Sequence, residues 1–208
     1  MSRARAICFL LAATLAGGAC DEPVAPALGG EYRVTLETHG DEGSALLELV
    51  GPGIEAVSAP AGIVLSRSWG DSTRVILMAD PAVGLVRAPL SFRMRMASGA
   101  SVPQARALEV ADSRNFPRDF ADTYLIQFSR ENASLSLGAR SVAGGPLAAL
   151  DPAALTLARL AAPFLGGSVA SPLTAEERQQ LDALGNSNGR YDLGDLRRAL
   201  YEFPQLVP

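Results

Sequence analysis

Short apolar runs separated by Gly, Pro, Asp and Ser recur from residue 32 to residue 129, at 32–37, 45–50, 54–58, 63–67, 73–79, 90–97, 106–110 and 123–129. Runs of this length between turn-forming residues read as strands, and eight of them in succession predict an antiparallel sandwich. The most regular is Phe92-Arg93-Met94-Arg95-Met96. Its alternation puts Phe92, Met94 and Met96 on a core face and both arginines on a wet one. Arg93 and Arg95 are read as charges of a solvated strand face, not as a ligand site.

Beyond residue 130 the period changes. Gly144-Gly145-Pro146, Gly166-Gly167 and Ser171-Pro172 interrupt an Ala/Leu-rich stretch. That stretch predicts a semi-ordered connector with one short helix over 152–162, capped by Asp151 with Pro152 at its first position. Its helix is free to pack on the strands or on the tail. Thr174-Ala175-Glu176-Glu177 is a capping box that starts a second helix, running to about Leu184. After an oxygen-rich loop, Leu193, Leu196, Leu200 and Phe203 fall on one stripe of a last helix, which Pro204 stops. The expected fold class is mainly β with an α-helical tail: an antiparallel β-sandwich over 31–130, the connector over 131–172, and an EF-hand-like helix–loop–helix over 173–204.

The first nineteen residues read as an export signal. Arg3 and Arg5 form a positive head, 7–16 is apolar, and Gly17-Gly18-Ala19 supplies the small residues a signal peptidase needs. The apolar run is about 15 Å long as a helix, roughly half a bilayer core, which disfavours a retained span. Cys20 directly after the small residues resembles the acylated cysteine of bacterial lipoproteins, and 20–30 would be the tether. The expected location is therefore a membrane-anchored lipoprotein of the cell envelope or surface. Cleavage that leaves Cys20 free, and a periplasmic or secreted protein, is the alternative. Cys8 leaves with the signal, so the mature chain forms no internal disulfide.

Composition narrows the function classes. All 18 basic residues are Arg, against 22 acids, for a net charge of −4, and the balance gives a phosphate backbone nothing to bind. His39 is the one histidine, which excludes zinc sites built on two or three His. It lies in a loop between two strands and reads as a surface residue. No Gly-x-Ser-x-Gly elbow is present. Asp112, Asp119 and Asp122 could supply paired carboxylates for glycoside cleavage, but read better as turn and cap residues. The chain is expected not to be an enzyme.

The 185–195 loop carries the remaining chemistry. A hard cation needs six to eight oxygens around a point, and a tight loop supplies them at alternating positions with Gly at the sixth. With Gly189 sixth, Asn186 is third, Asn188 fifth, the Arg190 carbonyl seventh, Asp192 ninth and Asp195 twelfth. Leu184 falls on the first position, and Asp182 would stand in if the helix end unwinds. The stretch Asn186-Ser187-Asn188-Gly189-Arg190-Tyr191-Asp192-Leu193-Gly194-Asp195-Leu196 resembles the calcium loop of dockerin modules. The resemblance covers about thirty residues and one of the two loops that family carries. It implies Ca2+ as the bound ion and a cohesin-type sandwich as partner, in assemblies that degrade polysaccharides. The body is distantly similar to such a sandwich through Leu46-Leu47-Glu48-Leu49-Val50 and the following Gly-Pro-Gly-Ile. Few carboxylates predict weak affinity, about 10⁻⁴–10⁻³ M. Without metal, Asn188-Gly189 is an ordinary turn, and Asp192 with Asp195 caps the last helix.

These features together predict a non-catalytic calcium-binding adhesion or scaffolding protein. Its partner would be a cohesin-like or dockerin-like module, a second copy included. The alternative is a carbohydrate-binding sandwich or accessory part of a polysaccharide-degrading system, with a purely structural tail. Aromatics are 6% of the chain and Trp69 is the sole Trp, so that alternative turns on whether its ring is exposed. The turn-like Ser68-Trp69-Gly70-Asp71 is read as burying the ring, as a core or edge anchor.

Overall fold

A computed structural model describes residues 29–37, 39–59, 62–79, 89–131 and 155–206. Each of the eight apolar runs falls on a strand: β1 (Gly30–Leu36), β2 (Glu42–Val50), β3 (Ile54–Ser58), β4 (Ile63–Trp69), β5 (Ser72–Met78), β6 (Ser91–Met96), β7 (Gln104–Asp112) and β8 (Ile126–Glu131). They pair into two antiparallel four-stranded sheets, sheet A in the order β3-β6-β1-β8 and sheet B in the order β4-β5-β2-β7. The last run gives up its first residue to a 3-10 turn at Ala121–Thr123.

The inward side chains of both sheets form one sandwich-like core. Val34, Phe92 and Met94 from sheet A meet Leu47, Leu49, Val75 and Val110 from sheet B, each almost wholly buried. The outer face of sheet A is wet, as the alternation in β6 requires. There Arg93 donates to Glu131 at 2.7 Å and Arg95 to Glu55 at 3.1 Å.

Sheet B is covered on both faces. Leu46, Ile76 and Met78 point away from the first core and pack with α1 (Leu157–Leu165), α2 (Ala175–Leu184) and α3 (Leu193–Glu202). The two tail helices are ten residues each, a length at which isolated helices are marginal. Burial of Leu193, Leu196 and Leu200, about 2 kcal/mol each, is what makes α3 persist. The expected capping box at Thr174 is present, with Thr174 Oγ1 accepting from Glu177 N and Glu177 reaching back to Thr174 N.

One expectation needs correction. The middle helix covers Leu157–Leu165 instead of 152–162, and Thr156 caps it, accepting from Arg159 N at 3.2 Å. The Asp151 cap lies outside the described residues. Of the packings left open for this helix, Leu160, Ala161 and Phe164 take a place in the second core, with sheet B and the tail helices. The 1–19 leader, Cys20 and nearly all of the 20–30 tether also fall outside the described residues. Among the described residues no helix is long and apolar enough to cross a membrane.

Candidate functional site

The 185–192 loop joins two helices seated on sheet B. Helix α2 ends at Leu184, whose side chain packs into the second core, so the first loop position has no oxygen to offer. Asp182 faces the loop without any unwinding of the helix end. Its carboxylate reaches from the last turn of α2 to Gly189 N at 3.0 Å and 3.2 Å. Gly189 itself sits at φ 89°, the left-handed turn that the sixth position demands.

Four more of the nominated residues meet there. Asn186 Nδ2 donates to both carboxylate oxygens of Asp192 at 3.1 Å, and Asn188 Nδ2 donates to Asp192 Oδ2 at 2.6 Å. Asn186 Oδ1 accepts from Asn188 N, and Asn188 Oδ1 accepts from Arg190 N. Asp192 caps α3 by accepting from Gly194 N at 2.9 Å. Asp195 returns the arrangement: its Oδ2 accepts from Asp192 N at 2.8 Å and its Oδ1 from Asn186 N at 3.1 Å. Arg190 enters through its guanidinium, 3.9 Å from Asp192 Oδ2.

Asp182, Asp192 and Asp195 are all buried, and Asp195 completely. Burial, with Asp192 and Asp182 close by, pushes the Asp195 carboxyl up to about 7 against the amide donors that favour its charge. The donor types are those a hard divalent cation takes: three carboxylates and two amides within residues 182–195. The carboxylates do not close on a point by themselves. Among the described residues no group of three or more His, Cys, Asp or Glu side chains has a metal-holding arrangement. A bound cation would need the oxygens of Asn186 and Asn188 as well.

Three contributors come from outside the motif. Glu109 on β7 accepts from Leu193 N at 2.7 Å, and burial raises its pKa. Asn115, in the turn after β7, gives its carbonyl to Asn186 Nδ2 at 2.7 Å. Arg197 on α3 donates to Asn115 Oδ1 at 2.8 Å and to Ser113 O at 3.1 Å. Tyr191 ties the loop to α1 through Leu160 O at 3.0 Å. None of these has a local sequence signal, because each depends on which element lies opposite.

The other nominated groups are structural or isolated. Asp112 Oδ1 accepts from Arg114 N and Phe116 N, a turn cap. Trp69 is not buried as expected: it ends β4 with 40% exposure, and the Arg74 guanidinium lies 5.3 Å from its ring centroid. His39 has an exposed ring set edge-on to Tyr124, centroids 5.0 Å apart, with Nδ1 3.4 Å from Glu42 Oε1.

Glu42 anchors that loop. Burial would raise its pKa, but the amides of His39 and Gly40 and the Tyr124 hydroxyl outweigh it, and the pKa lies below the ordinary 4.5. A carboxylate depressed in the folded state stabilises the fold above its unfolded pKa and loses that contribution as pH falls through the folded value. Urea midpoints of the native chain and Glu42→Gln are therefore expected to differ at pH 6 and to converge as the pH falls through the depressed folded value, below the ordinary 4.5. A gap that does not change with pH would remove Glu42 as the source.

No family model matches this chain, and neither the curated proteins nor the solved structures contain a match to it.

Proposed function

We propose that this protein is an exported, non-catalytic, calcium-binding association protein, tethered through Cys20, whose dockerin-like hairpin clips onto its own body. The observation that carries the reading is the convergence of Asp182, Asn186, Asn188, Asp192 and Asp195 on one loop between two helices. These side chains, with the Arg190 carbonyl, would hold the ion. Its charge would offset three buried carboxylates and fix the angle at which the helices meet sheet B. The apolar stripe of the hairpin is already covered by Leu46, Ile76 and Met78. A cohesin-like, dockerin-like or identical partner therefore meets the body instead of that stripe. A carbohydrate-binding role has Trp69 in its favour, exposed but with Arg74 over its ring.

The test uses the 20–208 chain, because the hairpin alone would lack the sheet that buries its leucines. Calorimetry is expected to give a Kd of about 10⁻⁴–10⁻³ M for calcium, with a melting temperature that rises as calcium is added. Asn188→Ala, at an exposed loop position, weakens binding while leaving the second core in place. No heat, together with identical melting in chelator and in millimolar calcium, would reduce the loop to a capped turn.

A further inference from the structure

The helices do not cover the whole outer face of sheet B. Where Leu65, Ile76 and Leu46 stand side by side, the second core covers them. Two further rows lie beyond, each crossing all four strands. The nearer is Arg67, Arg74, Glu48 and Arg106, and the outer is Trp69, Ser72, Val50 and Gln104. With strands about 4.8 Å apart, each row is about 14 Å long. Trp69 and Val50 are exposed there, and the Arg74 guanidinium lies over the indole.

The charge of the nearer row is unbalanced, on a chain whose net charge is −4. Glu48 is its one acid, and Arg106 Nε donates to Glu48 Oε2 at 2.8 Å. Arg74 approaches Glu48 Oε1 only to 3.8 Å and donates Nη1 to Phe164 O at 2.9 Å. Arg67 is exposed and, among the described residues, has neither a hydrogen bond nor an ion pair. It stands directly opposite Arg74, and like charges so placed are destabilising. Sheet A shows how such a pair is relieved: Arg33 stands opposite Arg93, and Glu131 bridges the two. No carboxylate of the described residues bridges Arg67 and Arg74. Gly166 and Gly167 keep the place open, since a Cβ on Gly167 would fall on Arg67 Nη1, and one on Gly166 would stand 3.5 Å from Arg74 Nη1.

We propose that this ledge binds a carboxylated polysaccharide, Trp69 lying against the C–H face of one sugar while Arg67, opposite Arg74, takes a carboxylate of the same chain. The inference rests on the carbohydrate reading of Trp69, narrows it to acidic glycans, and does not involve the 182–195 loop. An indole offers a flat apolar surface to a pyranose ring, and a guanidinium holds a carboxylate through two parallel hydrogen bonds. An acidic peptide accounts for the arginines and not for the indole set in the same corner.

Trp69 is the sole Trp, so its fluorescence reports on the ledge directly. The test titrates the 20–208 chain, in chelator, with polygalacturonate, alginate and hyaluronate. Fully methyl-esterified polygalacturonate and polyglutamate are the comparisons. At least one uronate polymer is expected to shift the emission to saturation, with the ester and polyglutamate each binding about tenfold more weakly or less. Added salt weakens the binding. Arg67→Ala removes an exposed side chain and is expected to weaken binding about tenfold at an unchanged melting temperature. Arg95→Ala, on sheet A, leaves binding as it is. Equal affinity for the ester would overturn the anionic site and leave a carbohydrate role for Trp69 intact. Equal affinity for polyglutamate would overturn the polysaccharide as the occupant. Binding that Arg67→Ala does not weaken would overturn the ledge as its place. Binding of none of the polymers would overturn the inference and the carbohydrate reading with it.

Discussion

Gly194→Ala is expected to lower the stability of the chain by about 3 kcal/mol, although helix propensity alone predicts a gain of about 1 kcal/mol from the same change. Gly194 is buried in the first turn of α3, directly against the turn after β7. A Cβ placed on it would sit inside the Asn115 carbonyl oxygen, with the Asn115 carbonyl carbon 2.7 Å and Cα 3.0 Å away. These are backbone atoms, and they are not free to retreat: Asn115 N donates to Asp112 O at 3.0 Å and its side chain is gripped by Arg197. Relief must come from α3 lifting away, which breaks the Asn186–Asn115 and Leu193–Glu109 hydrogen bonds together. Gly189→Ala is the comparison. Gly189 has open space around it and only its left-handed φ to lose, a strain of about 1–2 kcal/mol. Denaturant midpoints of the two variants decide the point. A Gly194→Ala protein as stable as the native chain would mean that the helical layer is not seated against Asn115.

The strand pattern was legible because each run carries its own evidence. The alternation of Phe92-Arg93-Met94-Arg95-Met96 identified one dry face and one wet face before any partner strand was known, and both are where it put them. The same reasoning extends to β2 and β5. Ala45-Leu46-Leu47 and Val75-Ile76-Leu77-Met78 do not alternate, and a strand apolar on successive residues is one buried on both sides. That absence of alternation was the available sign that helices cover sheet B, where Leu46, Ile76 and Met78 receive them. The caps at Thr174 and Asp192 were readable for a similar reason, since a cap involves residues two or three apart. Asn115, Glu109 and Arg197 were not readable. Each acts across 82 to 84 positions of chain or at comparable separation, and only the docking of α3 on β7 brings them together. The exposure of Trp69 was not readable because it ends β4, an edge strand of sheet B, a position set by strand order and not by the local sequence.

Asp195→Asn separates the two roles that this carboxylate can play. In the folded chain its oxygens each accept a buried backbone N–H, from Asp192 and from Asn186. Asparagine preserves the shape but offers one acceptor, so its NH₂ must face one of those amides, and a buried donor is left without a partner. That costs about 1–3 kcal/mol whether or not a metal is present. Alanine abandons both amides and is expected to cost about 2–5 kcal/mol. If the loop also holds calcium, the native chain gains a further stabilisation of about 1.4 kcal/mol at tenfold excess over Kd, which a variant with a weakened site does not share. The gap between the native chain and Asp195→Asn should then widen when chelator is replaced by calcium. Denaturant midpoints in the two buffers measure both quantities at once. A gap that is large and equal in both would assign Asp195 to helix capping alone. A gap that appears only with calcium would mean that the amide contacts contribute little and that the ion accounts for the order of the loop.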